Sequence, residues 1–139
     1  GCTKIALGHH MDDIAETVLA NGIDGLIVSN TTISRPDSLH SQYKNETGGL
    51  SGAPLFTLST QTLADMYKLT GGKIPIIGVG GISSAQDAYA KIRAGASLVQ
   101  LYSALVYQGF ALVRSINEEL PKFLARDGFS HISEAVGTL

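Results

Sequence analysis

Four short apolar runs, separated by segments of helical period, constrain the fold of this chain more than any other feature. They read Thr3-Lys4-Ile5-Ala6-Leu7, Gly25-Leu26-Ile27-Val28-Ser29, Ile74-Pro75-Ile76-Ile77-Gly78-Val79 and Ser97-Leu98-Val99-Gln100-Leu101-Tyr102. Each is brief, largely β-branched or leucine-rich, and apolar on both faces, the pattern of strands covered on two sides in a parallel sheet. The intervening segments carry helix ends as well as helix period. Asp13 with Glu16 has capping-box spacing, Ile14, Val18 and Leu19 form an apolar side, and Gly22 supplies a stop. Ser59 is placed to cap a second helix with Leu63, Met66 and Tyr67 on one side, ending at Gly71-Gly72. Ser84 and Asp87 repeat the box before Ala88, Ile92 and a stop at Gly95. The last helix runs from about Phe110 to Arg126, with Leu112, Val113, Ile116, Leu120 and Leu124 inward.

Strands alternating with helices favour a parallel α/β sheet with right-handed crossovers. About four β/α units fit, and a complete (β/α)8 TIM barrel needs ~250 residues, so the 139 residues are expected to form one incomplete domain, about half a barrel. A flavodoxin-like open sheet is the alternative, against which stands the absence of G-x-G-x-x-G: Ser83 falls where its last glycine would be. A net charge of -2 offers no basic footprint, and nucleic acid is not an expected partner. Cys2 is the only cysteine, so no internal disulfide is possible; it reads as a small buried filler. The uncharged stretch 94–113 is about long enough to span a bilayer, but Gly95, Ser97, Gln100, Ser103, Gln108 and Gly109 interrupt it, and it reads as a buried strand with a short turn.

The link from Thr31 to about Thr57 has some two dozen residues without clear helical period, far more than a typical connection. At the carboxyl end of a barrel strand, such a loop reads as a lid or binding element. Gly78-Val79-Gly80-Gly81-Ile82-Ser83-Ser84 takes an apolar strand into glycines and then a capped helix, where backbone N–H groups and the helix dipole suit a phosphate, although a tight βα turn needing positive φ would look the same. The next strand ends at Tyr102-Ser103, and loops after the last two barrel strands commonly share one phosphate. Lys4, inside an apolar strand, needs an anion, a ligand or a carboxylate as partner. Asn30 and Thr31 end the second strand, where a side chain with both donor and acceptor suits a planar polar ring, although a turn former would look the same. His9 and His10 before Asp12 and Asp13 lack a second cluster to complete a metal site and read as helix-start solvation.

Asn30-Thr31-Thr32, Glu46-Thr47-Gly48-Gly49-Leu50-Ser51-Gly52, Ile76 to Gly81, and Ala94 to Ser103 together, in this order and spacing, resemble the class 2, quinone-linked dihydroorotate dehydrogenases from about Lys4 to Gly137. The resemblance implies the C-terminal half of a (β/α)8 barrel that binds FMN. It implies that Lys4 lies near the flavin ring, Ser29 at a strand end, Gly52 and Gly81 at backbone contacts, and Tyr102 and Ser103 around the phosphate. Asn30 and Thr31 are implied to hydrogen-bond dihydroorotate or orotate. Ser29 and Gly52 come from the resemblance alone.

The activity so implied is oxidation of dihydroorotate to orotate in pyrimidine synthesis, with quinone as electron acceptor. The family's serine base, the other half of the barrel and an N-terminal extension for peripheral membrane association lie upstream of Gly1. An inner-membrane location, bacterial or mitochondrial, is likewise an implication of the family. Here Leu7-Gly8-His9-His10 follows Lys4-Ile5-Ala6 where the family has a Pro-Asp-Leu type of turn, and the ending Val136 to Leu139 also differs. The alternative reading is a non-catalytic half-barrel that binds a phosphate-bearing ligand.

Overall fold

The computed structural model describes residues 10–139. The expected first strand, with Cys2, Lys4 and His9, lies outside them. The helix α1 (Met11–Ala20) is followed by β1 (Leu26–Val28), a long loop, α2 (Phe56–Thr70), β2 (Ile76–Val79), α3 (Ala85–Arg93), β3 (Leu98–Gln100), α4 (Ser103–Gln108) and α5 (Ala111–Asp127). The strands form one parallel sheet in the order β1-β2-β3, with Val28 beside Gly78 and Gly78 beside Val99.

That register sorts side chains by face, because successive strand residues point to opposite sides. Val28 and Ile76 face the helices and enter a core with Ala15 of α1 and Leu63 and Met66 of α2. A second cluster joins Ile82, Ala85 and Ala88 to Leu112 and Ile116, seating α3 on α5. On the other face Ile27 and Leu98 are 58% and 63% exposed. Strands expected to be covered on both sides are therefore covered on one in the described residues, and the bare side corresponds to the interior of a closed barrel.

The helix ends follow local chemistry, with some departures. Ser84 accepts from the Asp87 N–H at 3.1 Å, as a cap should. The Asp87 carboxylate, however, accepts from the N–H and hydroxyl of Ser83, each at 2.9 Å. At α1 the Asp13–Glu16 box is not the start: the helix begins at Met11, with His10 before it and no side-chain cap. Ser59 does not cap α2 either. A 3-10 turn at Ala53–Leu55 leads into the helix three residues earlier, and Ser59 is fully buried inside it. The last helix runs as expected through Pro121, but Val113 lies 37% exposed and not inward. The stretch 94–113 forms β3, α4 and the start of α5, and among the described residues no helix is long and apolar enough to cross a membrane.

Candidate functional site

A cavity of about 600 Å³ opens where the carboxyl ends of all three strands meet. Its walls are Ser29, Asn30 and Thr31 after β1, Gly80 to Ser83 after β2, and Leu101 to Ala104 after β3, with Ser51, Gly52, Ala53 and Leu55 from the long loop. The volume suits a small organic ligand. Parallel sheets place ligands here because the loops that follow the strands converge at this end. Seven residues singled out from the sequence, Ser29, Asn30, Thr31, Gly52, Gly81, Tyr102 and Ser103, line this one cavity. Lys4 lies outside the described residues.

Side-chain hydrogen bonds tie the walls together. Gln108 of α4 donates to the Ser83 carbonyl at 3.0 Å, linking the loops after β2 and β3. The Ser103 hydroxyl donates to Ser51 at 3.1 Å, linking the loop after β3 to the long loop. The long loop is organised in turn by Arg35, whose guanidinium donates to the carbonyls of Lys44 at 2.9 Å, Glu46 at 3.1 Å and Gly48 at 2.8 Å. A bridge between Thr32 and Leu50 closes its base. This segment, without helical period, is thus held by one cation among backbone acceptors.

Asn30 and Gly81 illustrate what the walls offer a ligand. The Asn30 side-chain oxygen accepts from the Thr31 N–H at 2.7 Å, so its amide N–H groups remain to donate into the cavity. Gly81 has φ +78°, and a Cβ there would stand 2.5 Å from the Phe56 backbone, so the turn requires glycine for packing before any ligand is considered. Among the described residues the N–H groups of Gly81 and Ile82 meet no acceptor. The helix start behind them is less available, because Asp87 already occupies the Ser83 N–H and places a carboxylate there. The glycine turn, more than the helix terminus, has N–H groups without an acceptor among the described residues, an arrangement suited to an anion.

Sequence reasoning missed Lys91 and the role of Ser59. Lys91 is fully buried on α3, and its ammonium donates to Ser59 at 2.6 Å. Burial lowers its pKa to about 8, the Asp87 charge acting the other way. The signal was present: Lys91 follows Ala88 by three residues and so shares the buried side of α3.

Fold and site together define a parallel α/β unit of barrel type with a small-molecule cavity at the carboxyl end of its strands, one wall of which is a glycine turn suited to phosphate. The chain belongs to the dihydroorotate dehydrogenase family, whose sequence pattern matches residues 6–124. It is 65% identical over 127 residues to a Parvibaculum lavamentivorans protein named dihydroorotate dehydrogenase (quinone), covering 91% of this chain and 36% of that protein. It is 61% identical over 128 residues to the mitochondrial protein of that name from Arabidopsis thaliana, covering 91% of this chain and 28% of that protein. The ligand-free DHODH structure from Eimeria tenella superposes with a TM-score of 0.92 at 47% identity, over 96% of this chain and 37% of the other. A second Eimeria tenella DHODH structure, in complex with ferulenol, gives 0.88 at 49% identity over 91% and 34%. The chain thus spans about a third of the length of the relatives it matches.

Proposed function

We propose that the protein containing this chain oxidises dihydroorotate to orotate with FMN as cofactor and quinone as electron acceptor, in pyrimidine synthesis. The observation that carries this reading is the convergence of Asn30, Thr31, Gly81, Tyr102 and Ser103 on one cavity, in a chain whose relatives bear that activity's name. The residues present fit the cofactor: unpartnered N–H groups at the glycine turn and the hydroxyl of Ser103 suit its phosphate, beside a cavity large enough for a planar ring. FMN, when bound, supplies the two-electron chemistry.

The chain's own residues bind and orient. Gly81 and Gly52 contribute backbone groups, Tyr102 and Ser103 close around the phosphate, and Ser29 meets the cofactor at the end of β1. Asn30 donates its amide hydrogens to the carbonyl and carboxylate oxygens of the pyrimidine, with Thr31 beside it. Lys4 is assigned to the flavin ring, where its charge would favour the reduced, more negative state. The proton-abstracting serine, the rest of the barrel and the membrane-facing extension belong to the part of the protein outside this chain, and location at an inner membrane follows from that extension.

The test uses the protein expressed from its complete coding sequence, mixed with dihydroorotate and a soluble quinone. Orotate should appear only when both are present. A protein that retains FMN yet forms no orotate would instead support a non-catalytic phosphate-ligand binder.

A further inference from the structure

Lys91 is the largest fully buried side chain of the described residues and carries a charge that the fold does not neutralise. Its ammonium has three contacts: the Ser59 hydroxyl at 2.6 Å, the Val79 carbonyl at 3.5 Å and the face of Phe56 at 5.3 Å. None is an anion. Among the described residues no carboxylate lies within ion-pair distance, and Asp87, the nearest in sequence on α3, is engaged by Ser83. Burying a cation in this way costs stability, and methionine, of similar length, would fill the same space without that cost.

What the ammonium supplies that a thioether cannot is a charged donor to the Ser59 oxygen, which anchors that hydroxyl beside the Gly80 carbonyl. Ser59 accepts from Lys91 and shares its one hydrogen between two carbonyls, its oxygen lying 3.1 Å from that of Phe56 and 3.0 Å from that of Gly80. In a trans peptide the C=O and the following N–H point in opposite directions. The Gly80 carbonyl drawn onto Ser59 therefore turns the Gly81 N–H the other way, away from α2. That N–H meets no acceptor among the described residues, and Gly81 lines the cavity.

We propose that Lys91 is a positioning residue of the phosphate turn: through Ser59 it holds the Gly80 carbonyl back, leaving the turn's N–H groups to a phosphate monoester. Its charge, two residues from Gly81 by way of Val79, complements the anion from behind the turn. This rests on the reading of the cavity as an FMN site. Lys91 is not among the residues that line the cavity, and it acts from behind the turn.

The experiment measures FMN and riboflavin affinity by flavin fluorescence in the flavin-free protein expressed from its complete coding sequence. Riboflavin has the same ring without the phosphate, so a merely structural lysine would alter both affinities alike. The wild type prefers FMN. Lys91→Met, which removes the buried charge, is expected to weaken FMN binding roughly tenfold or more while riboflavin affinity holds. Ser59→Ala, a smaller change at the other end of the same link, reduces the preference in the same direction and carries the test if Lys91→Met does not fold. Variants that keep the wild-type ratio of FMN to riboflavin affinity overturn the proposal. A wild type with no preference for FMN overturns the phosphate-site reading itself, and the role of Lys91 with it.

Discussion

Asn30 lines the cavity with one end of its side chain already committed. Its oxygen holds the Thr31 N–H at 2.7 Å, a local turn contact of the kind short polar residues commonly make. The turn former and the ligand donor, alternatives at the level of sequence, are here compatible roles of one side chain, divided between its two ends. Asn30→Ala should then slow reduction of the flavin by dihydroorotate while FMN stays bound, at a cost of about 1–3 kcal/mol for a lost hydrogen bond to a buried polar ligand. Stopped-flow reduction at the wild-type rate would remove Asn30 from the substrate site. Gly81 is the opposite case, since its need for glycine is met by Phe56 packing alone. A substitution there would disturb the turn whether or not a phosphate binds, which is why the neighbouring Lys91–Ser59 pair is the better probe.

At the scale of elements, α3 and α5 are joined by more than their apolar seam. Tyr89 stacks on Phe123 at 5.4 Å between ring centres, and its hydroxyl donates to Asp127 at 2.9 Å. Arg126 donates to the same carboxylate at 2.7 and 3.0 Å. These bonds, that from Arg126 first and that from Tyr89 next, lower the Asp127 pKa to about 2. A carboxylate depressed in the folded state contributes stability above its unfolded pKa of ~3.9, and that contribution is lost as pH falls toward the folded value. Thermal unfolding between pH 5 and pH 2, as a rough range spanning both values, should therefore fall more steeply for the wild type than for Asp127→Asn; parallel curves would mean the carboxylate is not coupled to folding. The Tyr89 contacts with Phe123 and Asp127 were not legible in the sequence, because they join residues distant along the chain. The β2 to α3 turn was legible, because its strand, glycines and Ser84 cap are adjacent and local chemistry dictates them. Ser59 misled for the converse reason: a serine near a helix start reads as a cap, and only the neighbouring elements reveal it as a buried partner for Lys91.

For the molecule as a whole, strands apolar on both faces implied two covers, and the described residues supply one. The uncovered side, with Ile27 and Leu98, is the face a barrel fills with side chains from its other strands, which is the sense in which a family spanning about three times this length completes the fold. The position of the cavity was legible because parallel topology sends every strand-end loop to the same side; which loops touch was not, since the Gln108–Ser83 and Ser103–Ser51 contacts cross between them. On the proposed function, this chain supplies the phosphate site and part of the substrate site of the whole protein. The most direct test is a crystal structure of the protein from its complete coding sequence with FMN and orotate. The FMN phosphate is expected within hydrogen-bond distance of the Gly81 N–H and of Ser103, with orotate against the Asn30 amide. A phosphate bound away from the Gly80–Gly81 turn, or orotate out of reach of Asn30, would contradict it.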